Sequence, residues 1–201
     1  MSISFFLIFT IIVVFIYQWG YRKNLRLSRE WAEDLEAVFQ PKEKQYKWLG
    51  GVLGFIAEYQ VPGFKSIKAV LRLRPRHSLL YIPFALLTGY KDKLQILFYL
   101  SRNTNQEFHL LKKGQHIEEE KRFKIKDINI YGREFLLLYE KELPLTTINL
   151  FSHRQLCLLR HLALIKKQNV LFLEFHFCPA ENQEVIKAVQ NLMINFHLKP
   201  F

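Results

Sequence analysis

The sequence predicts an α+β fold behind a membrane-spanning N-terminal helix: one mainly antiparallel sheet of about seven strands with helices packed on one face. Three observations carry this. An unbroken apolar run opens the chain, a hairpin around Pro62-Gly63-Phe64 aligns in a single register, and later segments of strand character are interleaved with segments of helical period.

From Ile3 to Tyr21 there are nineteen residues, and twelve of those between Ile3 and Ile16 are Ile, Leu, Val or Phe. At about 1.5 Å per residue a helix of this length covers roughly 28 Å, close to a bilayer core of about 30 Å. Tyr17, Trp19 and Tyr21 stand where an interfacial aromatic belt belongs, and Arg22, Lys23, Arg26 and Arg29 follow. A cleaved secretory signal would need a basic n-region and a small-residue cleavage site, and the first residues offer neither. The expected organisation is a transmembrane anchor over 1–21, an amphipathic helix and linker over 22–46, and a cytoplasmic α+β domain over 47–201. The positive-inside rule places the N-terminus outside a cell membrane crossed once. Cys157 and Cys178, the two cysteines of the chain, fit a reducing compartment, although two thiols could still form one bridge.

Beyond the anchor, Leu25, Ala32, Leu35 and Phe39 recur at helical spacing, and Pro41 ends that helix. Lys42 to Lys47 reads as a polar connection. A three-residue loop at Pro62-Gly63-Phe64 pairs Phe55, Ala57 and Tyr59 with Leu71, Ala69 and Ile67, and sets Glu58 opposite Lys68. Further strands are expected at Leu94 to Leu100, Phe108 to Lys112, Phe123 to Tyr131 and Phe135 to Tyr139. The Leu94 and Phe135 runs are apolar on both faces, as central strands are, and slipped alternation suggests a bulge near Asp127. Ser152 with Gln155 forms a capping box for a helix that the Leu156, Leu159, Leu162, Ala163 and Ile165 pattern carries to Lys166-Lys167. A strand over Val170 to Phe175 and a helix after Pro179, with Val185, Val189, Leu192 and Phe196 as its buried stripe, complete the domain.

Half of the residues are hydrophobic and 23% are charged, which excludes a disordered tail, and the formal net charge is +11. From Lys65 to Lys93, seven cations face Asp92 alone. The candidate lipid- or anion-binding residues are Lys68, Arg72, Arg74, Arg76 and His77. The candidate interfacial residues are Tyr17, Trp19, Tyr21, Tyr81 and Phe84. The stretch from Leu79 to Leu87 has two readings, an interfacial segment, or a buried connector or short helix that covers one end of the sheet.

Motifs for chemistry are weak. His153, Cys157 and His161 at i, i+4 and i+8 share a helix face, but i and i+8 lie about 12 Å apart, too far for one metal. Gly50-Gly51-Val52-Leu53-Gly54 lacks the Gly-Lys-Ser/Thr ending of a phosphate loop and reads as a tight strand entry. Glu118-Glu119-Glu120 reads as a solvated loop. No catalytic residue, metal set or cofactor is assigned. The leading expectation is a non-enzymatic binding or assembly module that meets membrane lipid or a membrane-protein partner. The alternatives are a tethered enzyme for a lipid or other anionic substrate, with His77 as acid or base beside Glu58 or Asp92, and a membrane tether for nucleic acid. Oligomeric state is not legible.

Overall fold

The computed structural model describes residues 3–115, 122–140 and 151–198. The chain runs as α1 (Ile3–Phe39), β1 (Glu43–Trp48), β2 (Gly54–Gln60), β3 (Phe64–Arg72), α2 (Tyr81–Thr88) and β4 (Asp92–Leu100). It continues as β5 (Phe108–Lys112), β6 (Lys124–Ile130), β7 (Arg133–Tyr139), α3 (His153–Leu158), β8 (Leu159–Ile165), β9 (Val170–Phe177) and α4 (Asn182–Leu198). Nine strands, not seven, form one antiparallel sheet in the order β1-β2-β3-β4-β9-β8-β5-β7-β6.

The α1 helix is a single rod of 37 residues, about 55 Å long at 1.5 Å per residue. Its first half is bare and is long and apolar enough to cross a membrane. Its second half belongs to the domain core: Leu27, Trp31, Leu35 and Phe39 are buried at helical spacing. They share one apolar cluster with α3, α4 and the sheet face that carries Phe55, Leu71, Leu94 and Phe175. Trp31 packs on Phe177 with ring centroids 4.9 Å apart, and Phe39 meets Phe98 at 6.0 Å. Phe177 pairs with Asp92 at the start of β4, and Phe98 lies near its end, so α1 runs along β4 from its first residue towards its last.

The β2–β3 hairpin has the expected register, including Glu58 opposite Lys68, whose ammonium stands 3.1 Å from the carboxylate. Lys42 to Lys47 is largely strand: Glu43–Trp48 form the edge strand β1 on β2. Its alternation was invisible because only Tyr46 turns towards the core, where its hydroxyl bonds Glu36 of α1 at 2.6 Å and Tyr59 at 3.0 Å. Burial would raise the Glu36 carboxyl, but hydrogen bonds from Lys44 and Tyr46 outweigh it and hold the group below its ordinary value. Gly54 is required where it stands, with φ +124° and an added Cβ only 2.0 Å from the Leu71 carbonyl oxygen.

Other expectations are corrected. The helix from Ser152 has its capping box but ends at Leu158, and Leu159–Ile165 form β8 between β5 and β9. A stretch with Leu159, Leu162 and Leu164 satisfies either period, and two flanking strands decide it by supplying ladder partners on both sides. No bulge interrupts β6, which pairs with β7 in one register around the Tyr131-Gly132 turn. Its slipped pattern is that of an exposed edge strand. β4 is interior as expected, whereas β7 is second from the edge. Its far face is covered locally by Phe123 and Leu111 packing on Leu138. Val185, Val189 and Leu192 are buried on α4 as expected. The Phe196 side chain and Glu118-Glu119-Glu120 lie outside the described residues.

Replacing Trp31 with Ala should cost about 3–5 kcal/mol, because the cavity opens between α1 and the sheet. In thermal melts of the detergent-solubilised full chain this should lower Tm by roughly 10 °C. An unchanged Tm would mean that the second half of α1 is not part of the core.

Candidate functional site

The residues singled out in the sequence converge only partly, and where they converge the feature is the junction between α1 and the β3–α2 connection. At Gly20 the helix backbone meets the chain at Arg76 and His77: a Cβ there would stand 2.3 Å from the Arg76 carbonyl oxygen. One turn on, the fully buried Asn24 donates from Nδ2 to the Arg74 carbonyl at 2.8 Å and accepts on Oδ1 from the Arg76 guanidinium at 2.9 Å. A second nitrogen of that guanidinium donates to Oδ2 of Asp92, itself fully buried at the start of β4. The Arg74 backbone N–H fills Oδ1 of the same carboxylate at 2.8 Å. Four polar groups from α1, the connection and β4 therefore bond one another in a buried site.

This arrangement gives the basic residues separate roles. Arg76 is buried and consumed by Asp92 and Asn24. Arg74 is half-buried, with its Nε 3.9 Å from Asp92 and without a hydrogen-bond partner among the described residues. Arg72 is exposed at the end of β3, directly beside Lys93 of β4. Lys68 lies further along β3 and is paired with Glu58, away from the junction. The His77 ring stands edge-on to Tyr17 of α1 at 5.7 Å. Trp19 is exposed and carries the Lys23 ammonium 4.8 Å above its ring, while Tyr17 stacks on Tyr21.

The Leu79 to Leu87 stretch contains the helix α2, and Leu80, Phe84 and Leu87 are 90%, 54% and 88% exposed. It is therefore not a buried connector as a whole. Tyr81 touches both Phe84 and Tyr90, and Lys93 lies over the Tyr90 ring, which ties α2 to the basic end of β4. A groove of about 280 Å³ opens between Trp19, Lys23, the 74–76 connection, Tyr81 and Ala85.

A second polar group, which includes His161, lies on the sheet face opposite the helical core. Glu174 of β9 is held down at about 2, chiefly by its 2.7 Å hydrogen bond with His176 and also by one from Gln95, while burial opposes them. Its cross-strand neighbour His161 is pushed down to about 4 by burial and by His109, whose Nδ1 is 3.1 Å from its Nε2. Arg160 donates to His176 at 3.2 Å. Because Leu159–Ile165 are strand, His161 turns onto this face and leaves the expected alignment with His153 and Cys157 on α3. Among the described residues no group of three His, Cys, Asp or Glu side chains is arranged to hold a metal, and both cysteines are free thiols.

No protein-family model matches this chain, and comparison with curated proteins gives no match.

Removing one member of the buried pair should destabilise strongly. Asp92→Asn leaves the Arg76 charge uncompensated and should cost about 3–5 kcal/mol, read as a loss of Tm beyond that of the exposed-pair variant Glu58→Gln. The row on the far face should also set an acid limit. His161 is neutral in the fold and protonates more readily unfolded, so its contribution is complete above its ordinary value near 6.5 and falls as pH drops towards about 4. Glu174 has the same sign, with loss beginning near its ordinary value of 4.5 and continuing towards about 2. Stability should therefore fall between pH 6.5 and 4, by at most about 1.4 kcal/mol per pH unit from His161, and Tm with it, and His161→Gln should flatten that limb. A flat wild-type profile would contradict this.

Proposed function

We propose that the chain is a single-pass membrane protein, N-terminus outside, which holds its basic α+β domain against the cytoplasmic leaflet as a non-enzymatic binding module for anionic lipid or a membrane partner. The observation that carries this reading is the continuity of α1 into the domain core, with the junction closed at Gly20, the residue at which the bare apolar half ends. A helix built into the core in this way gives the domain a fixed pose. Because α1 runs along β4, the bilayer would meet the sheet at the end where β4 starts and β3 stops.

That end is basic. Arg72, Lys91 and Lys93 gather there, and the antiparallel register brings Lys112 and Arg133 to the same end of β5 and β7. Burial lowers the Lys112 ammonium, and Arg160, Arg133 and Lys91 lower it further. Such mutual repulsion favours an anionic surface, to which each nearby cation contributes on the order of 1 kcal/mol. Leu80 just before α2, with Phe84 and Leu87 on it, protrudes beside Trp19 and Tyr81, as an interfacial helix would.

The enzymatic alternative is weaker on two counts. Asp92, the nearest carboxylate to the connection, accepts from Arg76 and from the Arg74 N–H, and Glu58 is taken by Lys68, so neither stands ready beside His77. His77 instead packs on the aromatic residue of α1 where the apolar run ends.

In intact cells, a Lys65→Cys variant should resist a membrane-impermeant thiol reagent until the membrane is permeabilised, since Lys65 is exposed at the sheet end remote from the junction. Labelling without permeabilisation would reverse the orientation. In nanodiscs containing anionic lipid, a polarity-sensitive dye on Leu87→Cys of the full chain should be quenched by nitroxide lipids. It should lose that quenching when Arg72, Lys91 and Lys93 are replaced by Glu. Emission as in detergent would remove the interfacial role of α2.

A further inference from the structure

We infer that the groove between α1, the 74–76 connection and α2 binds the phosphate of one anionic phospholipid, with Lys23 and Arg74 as the two cations that receive it. This rests on the membrane reading above and makes it more specific: a discrete headgroup site in place of diffuse attraction to a charged surface.

The electrostatics of the groove leave those two cations uncommitted. Three basic side chains, Lys23, Arg74 and Arg76, line it together with Trp19, Tyr81 and Ala85. The one carboxylate of the adjoining network, Asp92, accepts its short charge-assisted bond from Arg76, which is also held by Asn24. Arg74 reaches the same carboxylate only at 3.9 Å, and its buried Nε donates to nothing among the described residues. The Lys23 ammonium lies over the Trp19 ring, a contact that holds it at the groove mouth without neutralising it. A phosphate oxygen placed between them would accept charge-assisted bonds from the Lys23 ammonium and from the part of the Arg74 guanidinium side chain that stays exposed, 32% of it.

Shape and position select a lipid over a free anion. The walls are Trp19, Pro75, Tyr81 and Ala85, which suit a glycerol backbone and the first methylenes of an acyl chain. A volume of about 280 Å³ is close to the lower limit of roughly 300 Å³ for ligand clefts, enough for a headgroup and too small for a whole lipid. The groove begins one residue before Gly20, where the apolar run of α1 ends, and Trp19 is the residue type that settles at headgroup depth. Acyl chains would continue along the bare half of α1.

The test is native mass spectrometry of the full chain released from membranes in mild detergent, with phosphatidylglycerol and phosphatidylcholine as added probes. The wild type should retain one phospholipid and prefer phosphatidylglycerol. Lys23→Gln combined with Arg74→Gln should lower that retention at least about ten-fold with a smaller loss of Tm than Asp92→Asn, and Lys65→Gln should match the wild type. Lys23→Gln alone, which leaves the network around Asp92 untouched, should show an intermediate loss. Equal retention of both lipids, undiminished retention by the variants, or complete displacement by inorganic phosphate would each overturn the site. Alkaline extraction of membranes separates this from the broader reading: a chain that stays with the membrane yet retains no phospholipid loses the headgroup site alone, whereas a chain washed off loses the anchor as well.

Discussion

The buried pair between Arg76 and Asp92 fixes the geometry of everything near the apolar helix. Taking two charges out of water is costly, and the cost is offset only when the remaining donors and acceptors are filled. Here they are: Asn24 takes a second nitrogen of the guanidinium, and the Arg74 backbone N–H takes the second carboxylate oxygen. The partners come from three parts of the chain, so the network holds α1, the β3–α2 connection and β4 in one relation. The same requirement explains Gly20, since the connection reaches Asn24 only by passing within Cβ distance of the helix backbone.

A consequence of this network is the division of labour among neighbouring arginines. Within five residues of chain, Arg72 faces solvent, Arg74 lines a groove and Arg76 is structural. Charge counting treats the three alike. Their different burial makes the first a source of long-range attraction, the second a short-range donor and the third a contribution to the fold. The apolar side chains of α2 add a non-electrostatic component: a Leu such as Leu80 or Leu87, now almost bare, gains roughly 1.5–3 kcal/mol when fully withdrawn from water.

The far face of the sheet has a different character. Its row of Gln95, Glu174, His176, Arg160, His161 and His109 is linked by hydrogen bonds, with Glu174 held ionised chiefly by His176 two residues along β9 and His161 held neutral by burial and by His109 of β5. Such a row specifies strand register, because a slip of one residue would bury these groups in the apolar core. It accounts for β8 being a strand: His161 has partners on this face that a helix would not give it.

Local periodicity and chain connectivity were enough to determine the apolar half of α1, the helical period that runs to Phe39, the β2–β3 register, the capping box at Ser152 and the Val185, Val189 and Leu192 stripe of α4. All are governed by residues close in sequence or by one tight turn. The sequence also located the basic region and the Leu79 to Leu87 segment, but it could not sort them. Tertiary structure alone decided that Glu43–Trp48 pair as an edge strand, that Leu159–Ile165 are strand and not helix, and that Arg76 is buried while Arg72 is free. In each case the deciding partner is distant in the chain: β2 for the edge, β5 and β9 for the ambiguous leucines, Asn24 and Asp92 for the arginine. A hydrophobic period records which side of an element is apolar, but pairing and desolvation depend on what the folded chain brings alongside.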